Sequence, residues 1–190
     1  MRRDNFCTPP LQKLCHQAIV ILAIGVALVW ISPAPAAVTE PAGRVRSTNA
    51  TILELLKEGA ERSASFRSLV DAIDRSTGIV YIEFGYCAFG HVNGCLLKFI
   101  AAAHGNHYLR IIVTPGRNRR THEQLIALVA HEMRHALEVL ESKEVVDVPT
   151  MEAMYRRIGT PLAGRLGHET AEARAAGDAV LAELLAKRMR

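Results

Sequence analysis

His131 and His135 stand four residues apart with Glu132 between them, in the run His131-Glu132-Met133-Arg134-His135. On an α-helix, residues four apart lie one above the other on the same face, so two imidazoles spaced this way can grip a single metal ion. Neutral imidazole nitrogens suit zinc, and a hydrolytic zinc site keeps one position for a water whose pKa falls to roughly 7. A carboxylate on the neighbouring position then reaches that water, takes its proton as it attacks a carbonyl, and passes the proton to the leaving amine. The residue types point to zinc-dependent hydrolysis, with His131 and His135 as metal ligands and Glu132 as general base.

That chemistry needs a helix, and the surrounding sequence supplies one. In Leu125 to Glu141 (LIALVAHEMRHALEVLE), Val129, Met133, Ala136, Leu137 and Leu140 form an apolar stripe. Thr121-His122-Glu123-Gln124 reads as a capping box at its start, and Arg134 and Glu138, one turn apart, can pair weakly. Zinc in a hydrolytic site usually has three protein ligands. The position six after His135 is Glu141, with no glycine between, so the metzincin arrangement with its third histidine is excluded. A carboxylate on a later helix remains. Glu169 and Glu172, three residues apart, share roughly one helical face. Glu169 is preferred because Ala173, Ala176 and Gly177 follow on its side and allow close approach to the zinc helix. Glu172 stays open as the alternative third ligand.

With its helices, small sheet, HEMRH helix and later glutamate, the chain resembles the gluzincin metallopeptidases from about Ile79 to Met189. The resemblance implies an α+β, zincin-like fold: a small antiparallel sheet, an active-site helix and a C-terminal glutamate-bearing helix. It implies a Zn2+ cofactor and a peptide or protein substrate whose backbone adds as a strand along the sheet edge, a place for Cys95 to Ala101 or Tyr108 to Thr114. One departure is plain. The acidic residue frequent in the family four positions after the third ligand is replaced by Ala173. Tyr155, His168 and Arg165 are candidates for stabilising an oxyanion.

The elements that must position these groups follow from periodicity. Ile52, Leu55 and Leu56 mark one short helix after Asn49, and Phe66, Leu69, Val70 and Ile73 mark a second, capped by Ser63 or Ser65. Ile79 to Tyr86, Gly94 to Ala101 and Tyr108 to Thr114 read as three strands of an antiparallel meander. Thr150 to Ile158 is a short helix, Gly159 to Gly167 a loop, and His168 to Met189 one long helix. His91, His104, His107 and His122 have no partner at ligand spacing and read as exposed polar residues.

At 190 residues and 49% apolar composition the chain is large enough for one globular domain with its own core. Residues 1–37 read as an export signal: a basic start, the apolar core Ala18 to Ile31, then small residues to Ala37. An uncleaved membrane anchor through residues 18–31 is the alternative, and is the only membrane contact expected. Either way the domain is exported, periplasmic or secreted. Residues 38–48 are a flexible lead-in and 49–190 the zincin-like domain. Beyond residue 37 the chain carries 20 basic and 18 acidic side chains, a net +2 without a basic patch, so nucleic-acid binding has no support. Cys87 and Cys95 can form a local disulfide in an oxidising compartment. The expected function is peptide-bond hydrolysis; the competing ones are a non-catalytic zinc-containing module and a metal-free extracytoplasmic interaction domain.

Overall fold

The computed structural model describes residues 43–87, 92–114, 120–162 and 167–188. The expected signal, residues 38–42 of the lead-in, His91 and Arg165 lie outside the described residues. Among the described residues no helix is long and apolar enough to cross a membrane.

The fold is mixed α+β. Helices α1 (Ala50–Arg62) and α2 (Ala64–Arg75) follow one another directly, because Ser63 both ends the first and caps the second. Its side chain accepts from the Phe66 amide at 3.0 Å, as Asn49 does from Ile52 at 3.2 Å for α1. Helix α3 (His122–Glu141) starts with the capping box expected from Thr121 and Gln124. Asp147 caps α4 (Val148–Ile158), and α5 (Ala171–Arg188) closes the described chain.

The main sheet departs from the expected antiparallel meander. Strands β1 (Val45–Arg46), β2 (Gly78–Phe84) and β5 (Asn106–Val113) are parallel, while β3 (Gly94–Leu96) and β4 (Ala101–Ala103) pair antiparallel with β5 on its far side. The order is thus β1-β2-β5-β3, with β4 continuing the β3 edge. Burial gives the reason. Val80 and Ile82 of β2 and Leu109, Ile111 and Val113 of β5 are fully buried, so side by side they present one continuous apolar face to the helices. The segment between them, with its glycine and three alanines, has little to bury and takes the edge. Consequently Tyr108 to Thr114 lies in a central strand and is no candidate for strand addition; Cys95 to Ala101 is at the edge. That edge is bulged: it takes five steps from Leu96 to Ala101 while β5 takes three from Tyr108 to Ile111. Val45–Arg46, expected as flexible lead-in, instead pairs with Val80 and Tyr81, and the Arg44 side chain donates to Asn106 at 2.8 Å.

The core lies between the sheet and α3, closed by α1, α2 and α5. Ile52, Phe66, Ile73, Ile126, Met133, Met154 and Leu184 are among its fully buried side chains. Helix α5 lies antiparallel on α3: Thr170 meets Glu138 near its start, and Gly177 faces His131 and Ala127 further on. A side chain at Gly177 would sit 3.3 Å from the Ala127 carbonyl oxygen and from the His131 Cβ, so the close approach expected of the small residues is real at this point.

One expectation about α5 is corrected. Glu169 is not on the helix. It sits with His168 in strand β7 (His168–Glu169), paired with β6 (Thr160–Pro161) in the register Thr160↔Glu169. Thr170 then starts the helix, its hydroxyl accepting from the Ala173 amide at 3.1 Å.

Candidate metal centre

His131, Glu132 and His135 come from the middle of α3, where the apolar stripe fixes the helix against the core and turns the histidines toward a cleft of about 620 Å³. Glu169 reaches the same place from β7. One ligand atom each of His131, His135 and Glu169 fall within 4.8 Å of one another. Glu169 Oε1 is 3.5 Å from His131 Nε2 and 3.7 Å from His135 Nε2. Ligands at about 2.1 Å from a tetrahedral ion stand roughly 3.4 Å apart, so these separations suit one. Glu172 is exposed in the first turn of α5 and is not in the group.

The donor set is also left wanting a partner. Glu169 Oε1 is buried and has no hydrogen bond. A carboxylate oxygen shielded from water and given no N–H or O–H is costly unless a cation takes their place. Those three side chains could hold a metal ion.

His135 is oriented by Glu138, which the sequence pairs only weakly with Arg134. Its Nδ1 lies 3.0 Å from Glu138 Oε2, and both side chains are buried. A carboxylate can only accept, so Nδ1 carries the proton and Nε2 keeps the lone pair that faces Glu169. Glu138 in turn accepts from the Thr170 hydroxyl at 2.6 Å. The expected weak pair of Arg134 with Glu138 is loose, at 4.0 Å; Arg134 reaches Glu141 at 3.2 Å instead. Burial works against the Glu138 carboxylate, but the hydrogen bonds from His135 and Thr170 hold its pKa below the ordinary value. Burial likewise works against protonated His135, and is outweighed by the Glu138 hydrogen bond and the surrounding carboxylates, so its pKa is raised. For His131 burial wins over the attraction of Glu169, and the pKa is lowered.

Glu132 lies under the sheet edge. Burial raises its carboxyl to about 7, against the attraction of His135 and a backbone hydrogen bond from Leu96. A side chain at Gly94 would stand 2.6 Å from Glu132 Oε1, so any larger residue there would push this carboxylate out of place. A disulfide joins Cys95 of the same strand to Cys87, as the cysteine pair suggested.

Of the three candidates for oxyanion stabilisation, Tyr155 is committed elsewhere: its hydroxyl donates to the His135 carbonyl at 2.9 Å and its ring packs edge-on against the imidazole. His168 lines the cleft beside Glu169. Among the other histidines, His122 pairs with Glu58 at 2.6 Å and His107 contacts Thr77 at 3.2 Å, both away from the cleft.

Sequence reasoning missed Glu138 and Thr170. Thr170 had a usable signal, since a threonine before an alanine-rich run is an N-cap pattern that places Glu169 ahead of the helix. Glu138 had none, because its burial depends on a residue 32 positions away. The chain matches no protein-family profile, no curated protein and no solved structure.

Proposed function

We propose that this domain is a zinc-dependent peptidase of gluzincin type. The observation that carries the reading is the convergence of His131, His135 and the unpartnered Glu169 oxygen, with the Glu132 carboxyl buried beside them. Two imidazoles and one carboxylate are the ligand set of several zinc peptidases, and nothing in the set favours a harder ion such as magnesium. Zinc held there supplies Lewis acidity toward a substrate carbonyl and acidifies a water.

The chain's own residues do the rest. Glu132, whose carboxyl ionises near neutrality when metal-free, accepts a proton from the attacking water and returns it to the leaving amine. Strand β3 lines the cleft, and its strand partner among the described residues is β5. That supports a substrate backbone lying along it as an added strand. His168 is the described candidate to donate to the developing oxyanion.

The test is zinc per chain together with peptide hydrolysis. The expected result is about one zinc, lost in Glu169→Ala and kept in Glu172→Ala, with cleavage of a peptide library abolished in Glu132→Gln. Zinc without cleavage would leave the non-catalytic module. A folded chain that takes no zinc would sink the proposal and favour the metal-free interaction domain.

A further inference from the structure

Three long cationic side chains line the cleft: Lys98, Arg120 and Arg174. Lys98 is paired with Glu152 across the opening at 2.8 Å. For Arg120 and Arg174 no carboxylate among the described residues lies within ion-pair distance. Arg120 Nε is moreover shut off from solvent with no hydrogen-bond partner. A buried guanidinium N–H without an acceptor is costly for the same reason as the Glu169 oxygen, and it calls for an anion as that oxygen calls for a cation.

The placement is specific. Arg120 directly precedes Thr121, whose capping box fixes the start of α3. Gln124, one turn on, also lines the cleft; its Oε1 accepts from the Thr121 amide at 3.0 Å, which leaves its NH2 free to donate. Ala127, Leu128, Gly177 and Leu181 give this half of the cleft an apolar wall between Arg120 and the ligand set. Arg174 lies close enough to His131 for its charge to act on the imidazole. Asp178, a turn further along α5, is the acidic side chain on this side, and it too stands beyond ion-pair distance of Arg174. With Glu152 paired to Lys98, and with a divalent cation offsetting Glu132 and Glu169, this half of the cleft is left cationic.

Resting on the peptidase reading above, we propose that Arg120 binds a carboxylate of the substrate, so that the cleft selects short peptides bearing an anionic group beyond the bond to be cut. The planar guanidinium fork matches a carboxylate with two parallel N–H bonds, and the Gln124 amide can add a third. A cleft of about 620 Å³ suits a few residues rather than a long chain. The carboxylate is either the C-terminus of the peptide or an acidic side chain; the chemistry at Arg120 is the same.

The test uses the full chain loaded with zinc and three N-acetylated probes: penta-alanine with a free C-terminus, its C-terminal amide, and that amide with glutamate as its last residue. Binding is measured on the Glu132→Gln chain, so that it is read without turnover, and again with Arg120→Gln added. At least one anionic probe should bind at least about tenfold more tightly than the neutral amide. That advantage should shrink with added salt and disappear with Arg120→Gln while zinc content and melting temperature hold. A preference for the free C-terminus alone assigns chain-end recognition; a preference for the glutamate amide alone assigns an acidic side chain. Should Arg120→Gln not fold, Arg120→Lys, which keeps the charge but not the fork, must still reduce the advantage. Equal binding of all three probes, no binding of any, or an advantage that survives both substitutions overturns the proposal. Absence of hydrolysis in the unsubstituted chain would sink the peptidase reading and leave the carboxylate preference standing.

Discussion

Glu132 is a site residue held at the expense of stability. Its carboxyl, ordinarily near 4.5, titrates at about 7 in the fold because of burial. Between those values the native protein keeps a proton that the unfolded chain has released, so stability falls as pH rises through this window and levels off above it. In the metal-free protein Glu132→Gln should therefore be more stable than the parent at pH 8, by on the order of 1–3 kcal/mol, and nearly equal to it at pH 4. Denaturant melts at the two pH values check this; an equal difference at both would mean that the carboxyl is not the cause. Glu138 would act on a bound ion through His135. Glu138→Gln, which no longer offers His135 Nδ1 a full carboxylate, should weaken zinc binding by roughly 10- to 100-fold in a chelator competition. Thr170→Ser, which keeps the hydroxyl, should leave it near the parent.

Glu183 ties two helices together at a terminus. On α5, it accepts from the Ser63 and Ser65 hydroxyls at 2.7 and 2.6 Å and from the Ser65 amide at 3.2 Å, at the N-terminal end of α2 where a negative charge is favoured. Burial alone would raise its pKa, but the hydrogen bonds from Ser65 and Ser63 win and lower it. A lowered acid stabilises the fold above its unfolded pKa and loses that contribution as pH falls through the folded one. Glu183→Gln should thus lower the melting temperature at pH 7 and make progressively less difference below about pH 4; a loss that does not fade with acid would point to packing instead. At this scale the sequence was a good guide to helices, because 3.6-residue periodicity and caps such as Ser63 and Thr121 are local. It was a poor guide to the sheet. Which of three β-rich segments takes the edge depends on how much each can bury against helices distant in sequence. The bounds of α5 failed for a related reason: an alanine-rich stretch has no strong apolar period to show where it stops, and the pairing of Glu169 with Thr160 is a tertiary matter. The candidate ligands His131 and His135, and Glu132, were legible because one helical turn sets their spacing.

For the molecule as a whole, an ion that binds the native triad and not the unfolded chain must raise stability with its concentration. The melting temperature should rise with added zinc in the parent and stay flat in Glu169→Ala. Cutting the Cys87–Cys95 bridge tests a different part: a Cys87→Ala, Cys95→Ala chain should be less stable overall, by about 2–4 kcal/mol at most for a short loop, while zinc binding at His131, His135 and Glu169 persists. The hydroxyl of Thr170 has a wider role than orientation. It caps α5 and fastens Glu138, while its neighbour Glu169 is a candidate ligand, so docking of the last helix and capture of an ion are linked quantities. Linkage is reciprocal: whatever the docked helix would add to the affinity for an ion, an ion captured by the triad must return as resistance of α5 to local opening, a slowing of amide exchange along a helix that would not touch it.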